Sequence, residues 1–302
     1  MKLERNSENM ACPLCESSLA SFFVRKKTYD IFRCSKCNFL FVRPLPGGHQ
    51  EIYSQGYFFG TQCRFGYADY EADRDSANET FGAYLEKVEK FLPEKGKLFD
   101  VGAATGLFVE YASRNGWDAS GMDVSEYAVD LAKKKGLRVA LGDFESAQVA
   151  ANNFDLVSFW DVLEHFSYPE SALRKAREVL KPGGLVAINT PDSASVPARI
   201  LGRHWHLLDP PNHLNIFSRE NLGRLLEQNC FEIVFFGRIR KKFSLRYIVK
   251  VLANWKPNYF FEKISRYFET SKWGNIKIPL NTRDNMLLVA RKKAIKSSNT
   301  TK

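Results

Sequence analysis

Leu98-Phe-Asp-Val-Gly-Ala-Ala-Thr-Gly106 reads as a buried strand that ends in an acidic residue and turns through small residues into a helix. In a doubly wound sheet such a turn is where the backbone approaches a nucleotide-like ligand, because only small residues let the ligand close to the chain. The spacing selects among ligands. A dinucleotide fingerprint carries glycines at its first, third and sixth positions, and counting from Gly102 the sixth is Leu107. The pattern present is Asp-x-Gly-x-(small)-x-Gly, from Asp100 through Gly102 and Ala104 to Gly106.

The segments that follow extend the same architecture. Trp117–Asp123 reads as a second strand whose terminal acid lies about 20 residues beyond the turn, where a carboxylate can hydrogen-bond both ribose hydroxyls. Ser125 can cap a helix with Tyr127, Ala128, Leu131 and Ala132 on one face, and Gly136 stops it. A short strand, Leu137–Leu141, leads to Asp143 and Phe144, suited to accept from an adenine amino group and to pack beside its ring. Phe154–Phe159, Pro169–Leu180, the Lys181-Pro-Gly-Gly184 turn and Leu185–Asn189 then read as strand, helix, turn and strand.

This ordered set resembles the class I S-adenosylmethionine (SAM) dependent methyltransferases, with Ala104 standing where that family more often has glycine. The resemblance implies an α/β, Rossmann-like sheet of seven strands with the last antiparallel, SAM as cofactor, and a SAM-binding set of Asp100, Gly102, Ala104, Gly106, Asp123, Asp143, Phe144 and Trp160. After the fourth strand, Trp160-Asp-Val-Leu-Glu-His165 would place Asp161, Glu164 and His165 on one face if helical, at i, i+3 and i+4. That pattern resembles the O-methyltransferases of ubiquinone biosynthesis over about residues 95–235. There the corresponding acids and histidine are associated with a divalent metal; here Asp161 replaces a glutamate. His165 is then base or metal ligand, with His213 a second candidate on the loop expected to cross the substrate side.

Near the N-terminus, Cys12-Pro-Leu-Cys15 and Cys34-Ser-Lys-Cys37 are two Cys-x-x-Cys knuckles separated by 18 residues. Two knuckles supply a closed tetrahedral set of thiolates, so the expected ion is a structural zinc. The alternative, a pair of disulfides, is disfavoured by a reducing compartment. Phe22–Lys27 and Tyr29–Phe32 alternate well enough for a hairpin between the knuckles. Cys63 and Cys230 read as a loop thiol and a core thiol. The expected division is a zinc ribbon at 1–43, a linker and aromatic, helical lid at 44–94, and the SAM-binding domain at 95–302. Tyr53, Tyr57, Phe58, Phe59, Phe65, Tyr67 and Tyr70 either wall a pocket or pack the ribbon against the domain.

The apolar fraction of 44% against 26% charged residues describes a globular chain. No apolar run approaches the ~18 residues of a membrane span, and Met1–Glu8 has no signal-peptide core, so a cytoplasmic site is expected. The +10 formal charge is concentrated late. Arg238–Lys272 interleaves ten basic residues with two acids and many aromatics, inside an expected helical insertion at about 238–284. Such a stretch suits an anionic membrane surface at the inner face of a membrane, a phosphate-bearing substrate or, ranked lower, RNA; the plain alternative is a solvated helical face whose apolar side packs on the core.

These readings converge on methyl transfer to a hydroxyl of a small or lipid-linked acceptor. The alternatives are an RNA methyltransferase, a sugar C-methyltransferase and a SAM-binding regulator without turnover.

Overall fold

The computed structural model describes residues 11–46, 74–239, 241–249, 259–280 and 283–294. The aromatic stretch at 53–70, Cys63, Arg240 and the part of the basic insertion at 250–258 lie outside the described residues.

The chain opens with a hairpin of β1 (Ala20–Lys26) and β2 (Tyr29–Cys34), followed by β3 (Leu40–Arg43) and helix α1 (Arg74–Glu89). The motif strand is β4 (Lys97–Val101), and α2 (Leu107–Arg114) begins directly after Gly106. Then come β5 (Asp118–Asp123), α3 (Glu126–Lys134), β6 (Val139–Leu141), β7 (Phe154–Trp160), α4 (Pro169–Val179) and β8 (Leu180–Pro191). The remainder is α5 (Val196–Leu201), β9 (Asn215–Ile216), α6 (Arg219–Gln228), β10 (Phe231–Gly237), β11 (Lys241–Ser244), α7 (Tyr259–Thr270), β12 (Lys277–Leu280) and β13 (Asn285–Lys292).

Seven strands form the main sheet in the order β10-β13-β8-β7-β4-β5-β6. The five from β8 to β6 run parallel, and β13 is inserted antiparallel between β8 and β10. The parallel strands are buried on both faces, which is why they read as near-continuous apolar runs. Phe99, Val157, Phe159, Val186 and Ile188 face one core with α4 and α6, while Leu98, Leu156, Ala187 and Val289 face the other with α1, α2 and α3. Local signals sit where their chemistry requires. Ser125 Oγ accepts from the Ala128 amide, and Ser218 forms a reciprocal capping box with Asn221. Between Leu180 and Leu185 the β7–β8 register shifts, so Lys181-Pro-Gly-Gly184 is looped out of the ladder.

Three features differ from the sequence reading. The ribbon is not a sheet by itself, because β3 pairs with β9 and the four-stranded order is β1-β2-β3-β9. The insertion is not purely helical: β11 and β12 pair as an antiparallel ribbon, Lys241 opposite Leu280 and Ser244 opposite Lys277. Cys230 is an exposed residue at φ 59°, on the turn between α6 and β10, and not a core thiol.

Candidate active site

The C-terminal ends of β4, β5, β7 and β8 open on one edge of the sheet, where ligands of doubly wound folds bind. At β4 the chain takes left-handed conformations at Gly102 (φ 71°), Ala104 (φ 48°) and Gly106 (φ 77°). The amides of Gly102 and Ala103 donate to Met122 O at 2.9 and 3.0 Å, binding the turn to the end of β5. A Cβ on Gly102 would lie 2.6 Å from Val162 Cγ2, so the glycine lets β4 and the segment after β7 meet.

Asp123, at the end of β5, accepts from the Ala104 amide on Oδ2 and from the Ser125 amide on Oδ1, both at 2.8 Å. A carboxylate offers about four acceptor sites, so capacity remains on Asp123 for a ligand hydroxyl. Burial raises the Asp123 pKa and the amides of Ser125, Ala104 and Val124 pull it back. The small-residue turn beside a half-satisfied carboxylate is a cradle that fits the ribose of an adenosyl group.

Asp100 has another place. It is 3% exposed, its Oδ1 accepts from Ser158 Oγ at 2.7 Å, and it lies opposite Ser158 in the β4–β7 register. Burial, opposed by Ser158 and reinforced by the Asp123 charge, pushes its carboxyl up to about 8. Phe144 was expected beside an adenine ring. It is 2% exposed and packs between Phe99 and Phe159, turned into the core. Trp160 stacks on Tyr84 with ring centroids 4.4 Å apart and meets Phe108 edge-on, so its indole is packed between β7, α1 and α2. Asp143 remains half-buried, accepting from the Glu145 amide and Ser146 Oγ.

The segment after β7 corrects the expectation of one helical turn. Asp161 is left-handed at φ 56°, and the short 3₁₀ helix spans only Leu163–His165. The Asp161 carboxylate turns toward the sheet, where Asn189 Nδ2 and Asn285 Nδ2 donate to Oδ1 at 2.6 and 2.8 Å. The Asp161 carboxylate is thus bonded to two asparagines while its charge still acts on His165 and His213, and it is the Asp161 carbonyl that meets His165 Nε2, at 2.9 Å. Glu164, His165 and His213 are the residues brought together, with one ligand atom from each all within 4.8 Å.

Glu164 is 1% exposed and its Oε2 accepts from Thr190 Oγ1 at 2.8 Å. The rings of His165 and His213 lie 5.2 Å apart. Nδ1 of His213 donates to Leu207 O at 2.7 Å, which fixes the tautomer and leaves Nε2 as an acceptor. Nδ1 of His165 faces Asn212 O at 2.6 Å. Burial and the neighbouring His213 push His165 down to about 4, against the two carbonyls that favour its charged form. It is neutral at pH 7, and a neutral imidazole has one proton for two carbonyls. One carboxylate and two imidazoles form a donor set suited to a divalent transition metal. Sequence reading missed His206 and Asp284, which meet at 3.5 Å at the mouth of β8 and β13; the only signal was the Arg203-His-Trp-His206 run.

In the ribbon, Cys12 and Cys37 Sγ are 3.7 Å apart and Cys15 and Cys34 Sγ 3.6 Å apart. A tetrahedron with zinc–sulfur bonds of about 2.3 Å has edges of about 3.8 Å, whereas a disulfide is ~2 Å long. The four thiols fit a zinc ribbon.

Curated relatives include ubiquinone biosynthesis O-methyltransferases of Azoarcus sp., 34% identical over 31% of this chain and 43% of that protein, and of Coxiella burnetii, 30% identical over 35% and 48%. The chain thus spans about half the length of the curated relatives it matches. Among solved structures, the [4+2]-cyclase SpnF superposes with a TM-score of 0.54 at 21% identity, covering 83% of this chain and 98% of that one. That likeness concerns the fold alone. A methyltransferase domain model matches residues 72–234, which hold the cradle, the Glu164–His165–His213 cluster and the strands between them; the chain belongs to the SAM-dependent methyltransferase family.

Proposed function

We propose that this chain transfers the methyl group of SAM to a hydroxyl of a small or lipid-linked acceptor. The observation that carries the reading is the Glu164–His165–His213 cluster on the same sheet edge as the Asp123 cradle. When bound, SAM supplies an electrophilic methyl on a sulfonium. Asp123 would hold the ribose and so fix the donor's orientation against the acceptor. As the acceptor oxygen bonds to the methyl carbon, the carbon–sulfur bond breaks and the hydroxyl proton leaves. His213 Nε2 is the acceptor for that proton, with Nδ1 held by Leu207 O. The same three side chains could hold a divalent metal that lowers the hydroxyl's pKa.

The ribbon would carry one structural zinc on Cys12, Cys15, Cys34 and Cys37. Mass spectrometry of cell extracts incubated with the protein and methyl-labelled SAM tests the main reading. A labelled ether, with equimolar S-adenosylhomocysteine, is expected. Label confined to RNA, or SAM bound with no label transferred, overturns it in favour of an RNA enzyme or a regulator.

A peripheral membrane contact is supported by the insertion, where Tyr267, Trp273 and Ile276 are 59%, 62% and 44% exposed beside exposed Lys263, Arg266 and Lys272. Among the described residues no helix is long and apolar enough to cross a membrane. Aromatic and basic side chains together suit the headgroup layer of an anionic bilayer. Sedimentation with anionic vesicles should fall on Trp273→Ala; binding to neutral and anionic vesicles alike would overturn this contact.

A further inference from the structure

The cysteine ribbon and the histidine cluster share one short piece of backbone. Leu214 is fully buried; its carbonyl accepts from the Val42 amide of β3 at 2.9 Å, and its amide donates to Glu164 O at 2.9 Å. One peptide segment is thus bonded to the ribbon on one side and to the cluster on the other. Its neighbours repeat the arrangement. Asn212 presents its carbonyl to His165 Nδ1 at 2.6 Å, His213 is itself a member of the cluster, and Asn215 pairs with Phe41 in the ribbon sheet. Asn215 also donates from Nδ2 to Phe166 O at 2.6 Å, closing the loop over the residue that follows His165.

The ribbon end is anchored independently. Asn221 Nδ2 donates to Cys37 O at 2.7 Å, and Phe39 packs on Phe217 with centroids 5.4 Å apart. Lys27 pairs with Asp209 at the far end of the same loop. A loop with a two-residue strand has little intrinsic preference for one conformation, so its position depends on what it pairs with.

We propose that the cysteine ribbon is a positioning element of the catalytic cluster, acting through Leu214 and secured by Asn221. Asn221 is a positioning residue: it touches no reacting group and acts through the knuckle at Cys37. The proposal rests on the reading of Glu164, His165 and His213 as the acceptor-side machinery. It accounts for two observations that a passenger domain would not require: the ribbon sheet is completed by a strand from the catalytic domain, and that strand begins two residues after His213.

The test uses the full chain and Asn221→Asp. Aspartate keeps the acceptor that caps α6 but replaces the donor to Cys37 O with a negative oxygen. Three measurements are made on the parent and the variant: bound metal by elemental analysis, SAM affinity by calorimetry, and side-chain imidazole nitrogen shifts with Leu214 amide exchange by NMR. The chain has five histidines, so the imidazole signals can be assigned by single substitution. Asn221→Asp should keep the metal and SAM affinity of the parent. It should move the His165 and His213 resonances and speed Leu214 exchange about tenfold, the loss of roughly one hydrogen bond's worth of protection.

Ser218→Ala weakens the cap of α6 without touching the knuckle and should leave the imidazole shifts in place. Unchanged shifts and exchange in Asn221→Asp overturn the proposal, as do equal shifts in Ser218→Ala. A parent without metal would defeat the zinc reading alone, and a parent that does not bind SAM would defeat the methyltransferase reading alone; the NMR comparison decides the positioning role in either case.

Discussion

The Ala104 amide donates to Asp123 Oδ2 across 2.8 Å, so the turn after β4 and the acid ending β5 are one unit. A residue at φ 48° without glycine's freedom is held there by this bond and by the Gly102 and Ala103 amides on Met122 O. Asp123→Ala therefore removes a ligand contact and loosens the cradle together. SAM affinity should fall by about 1.5–3 kcal/mol, roughly 10- to 150-fold. Calorimetry finding the parent affinity in a folded Asp123→Ala protein would remove Asp123 from the site.

Asp100 predicts a pH dependence of stability. Its carboxyl, pushed up to about 8 in the folded chain, holds its proton more tightly than in the unfolded chain. The resulting stability is complete below about pH 4 and is lost as pH rises through about 8. Depressed His165 acts oppositely, losing stability as pH falls from about 6.5 to 4, so the comparison is made from pH 6.5 to 9, and the difference between parent and Asp100→Asn isolates Asp100 from other groups that titrate there, such as Cys34. Asp100→Asn keeps an acceptor for Ser158 and stays neutral. Without SAM, its stability relative to the parent should rise by about 2 kcal/mol between pH 6.5 and pH 9, read as a growing difference in thermal midpoint. Parallel curves from pH 6.5 to 9 would show that Asp100 does not titrate there.

The local parts of this molecule were legible because their causes are local. Ser125 and Gly136 are a cap and a stop wherever such helices occur, and apolar runs between Phe99 and Ile188 read as buried strands. The sheet order came from recognising the motif succession, not from periodicity. What escaped depends on distant partners. Asp161 is left-handed because Asn189 and Asn285 hold its carboxylate, and the nearer of these is 28 residues away. Leu40 pairs with Ile216, and His206 meets Asp284, at separations that no window spans.

The four thiols predict a single tightly held zinc in freshly purified protein. A module this small cannot stabilise itself by core burial, so the ion would contribute much of its folding energy. Cys34→Ser should lose the metal and the amide protection of β1–β3 while SAM binding persists in the main domain. Metal-free protein with the pairs oxidised, Cys12 to Cys37 and Cys15 to Cys34, would instead establish disulfides.

The histidine cluster predicts a separation of binding from turnover. His213→Ala and His165→Ala should each lower turnover about 10²–10⁴-fold with SAM affinity little changed, because both belong to the cluster read as the acceptor side. Chelation divides the two chemistries. Turnover abolished by EDTA while elemental analysis shows the cysteine ribbon still holding its zinc, and restored by a divalent ion, with Glu164→Gln as damaging as either histidine change, identifies a metal at the cluster. Turnover insensitive to EDTA leaves His213 Nε2 as the base. Parental rates in both histidine variants would remove the cluster from catalysis.

Gly102 gives a prediction in which two causes of destabilisation can be separated. Its φ of 71° is strained for any residue with a Cβ, and that Cβ would stand 2.6 and 2.9 Å from the two methyls of Val162. The first cost, about 1–2 kcal/mol, belongs to the backbone and persists whatever surrounds it. The second belongs to one neighbour and should vanish when that neighbour is trimmed. Gly102→Ala should destabilise the protein by about 2–4 kcal/mol. Val162→Ala should recover the steric part in the double variant, giving a coupling of about 1–2 kcal/mol in a double-mutant cycle. Additive effects would mean that Val162 moves aside at no cost and that backbone conformation alone requires glycine at this turn.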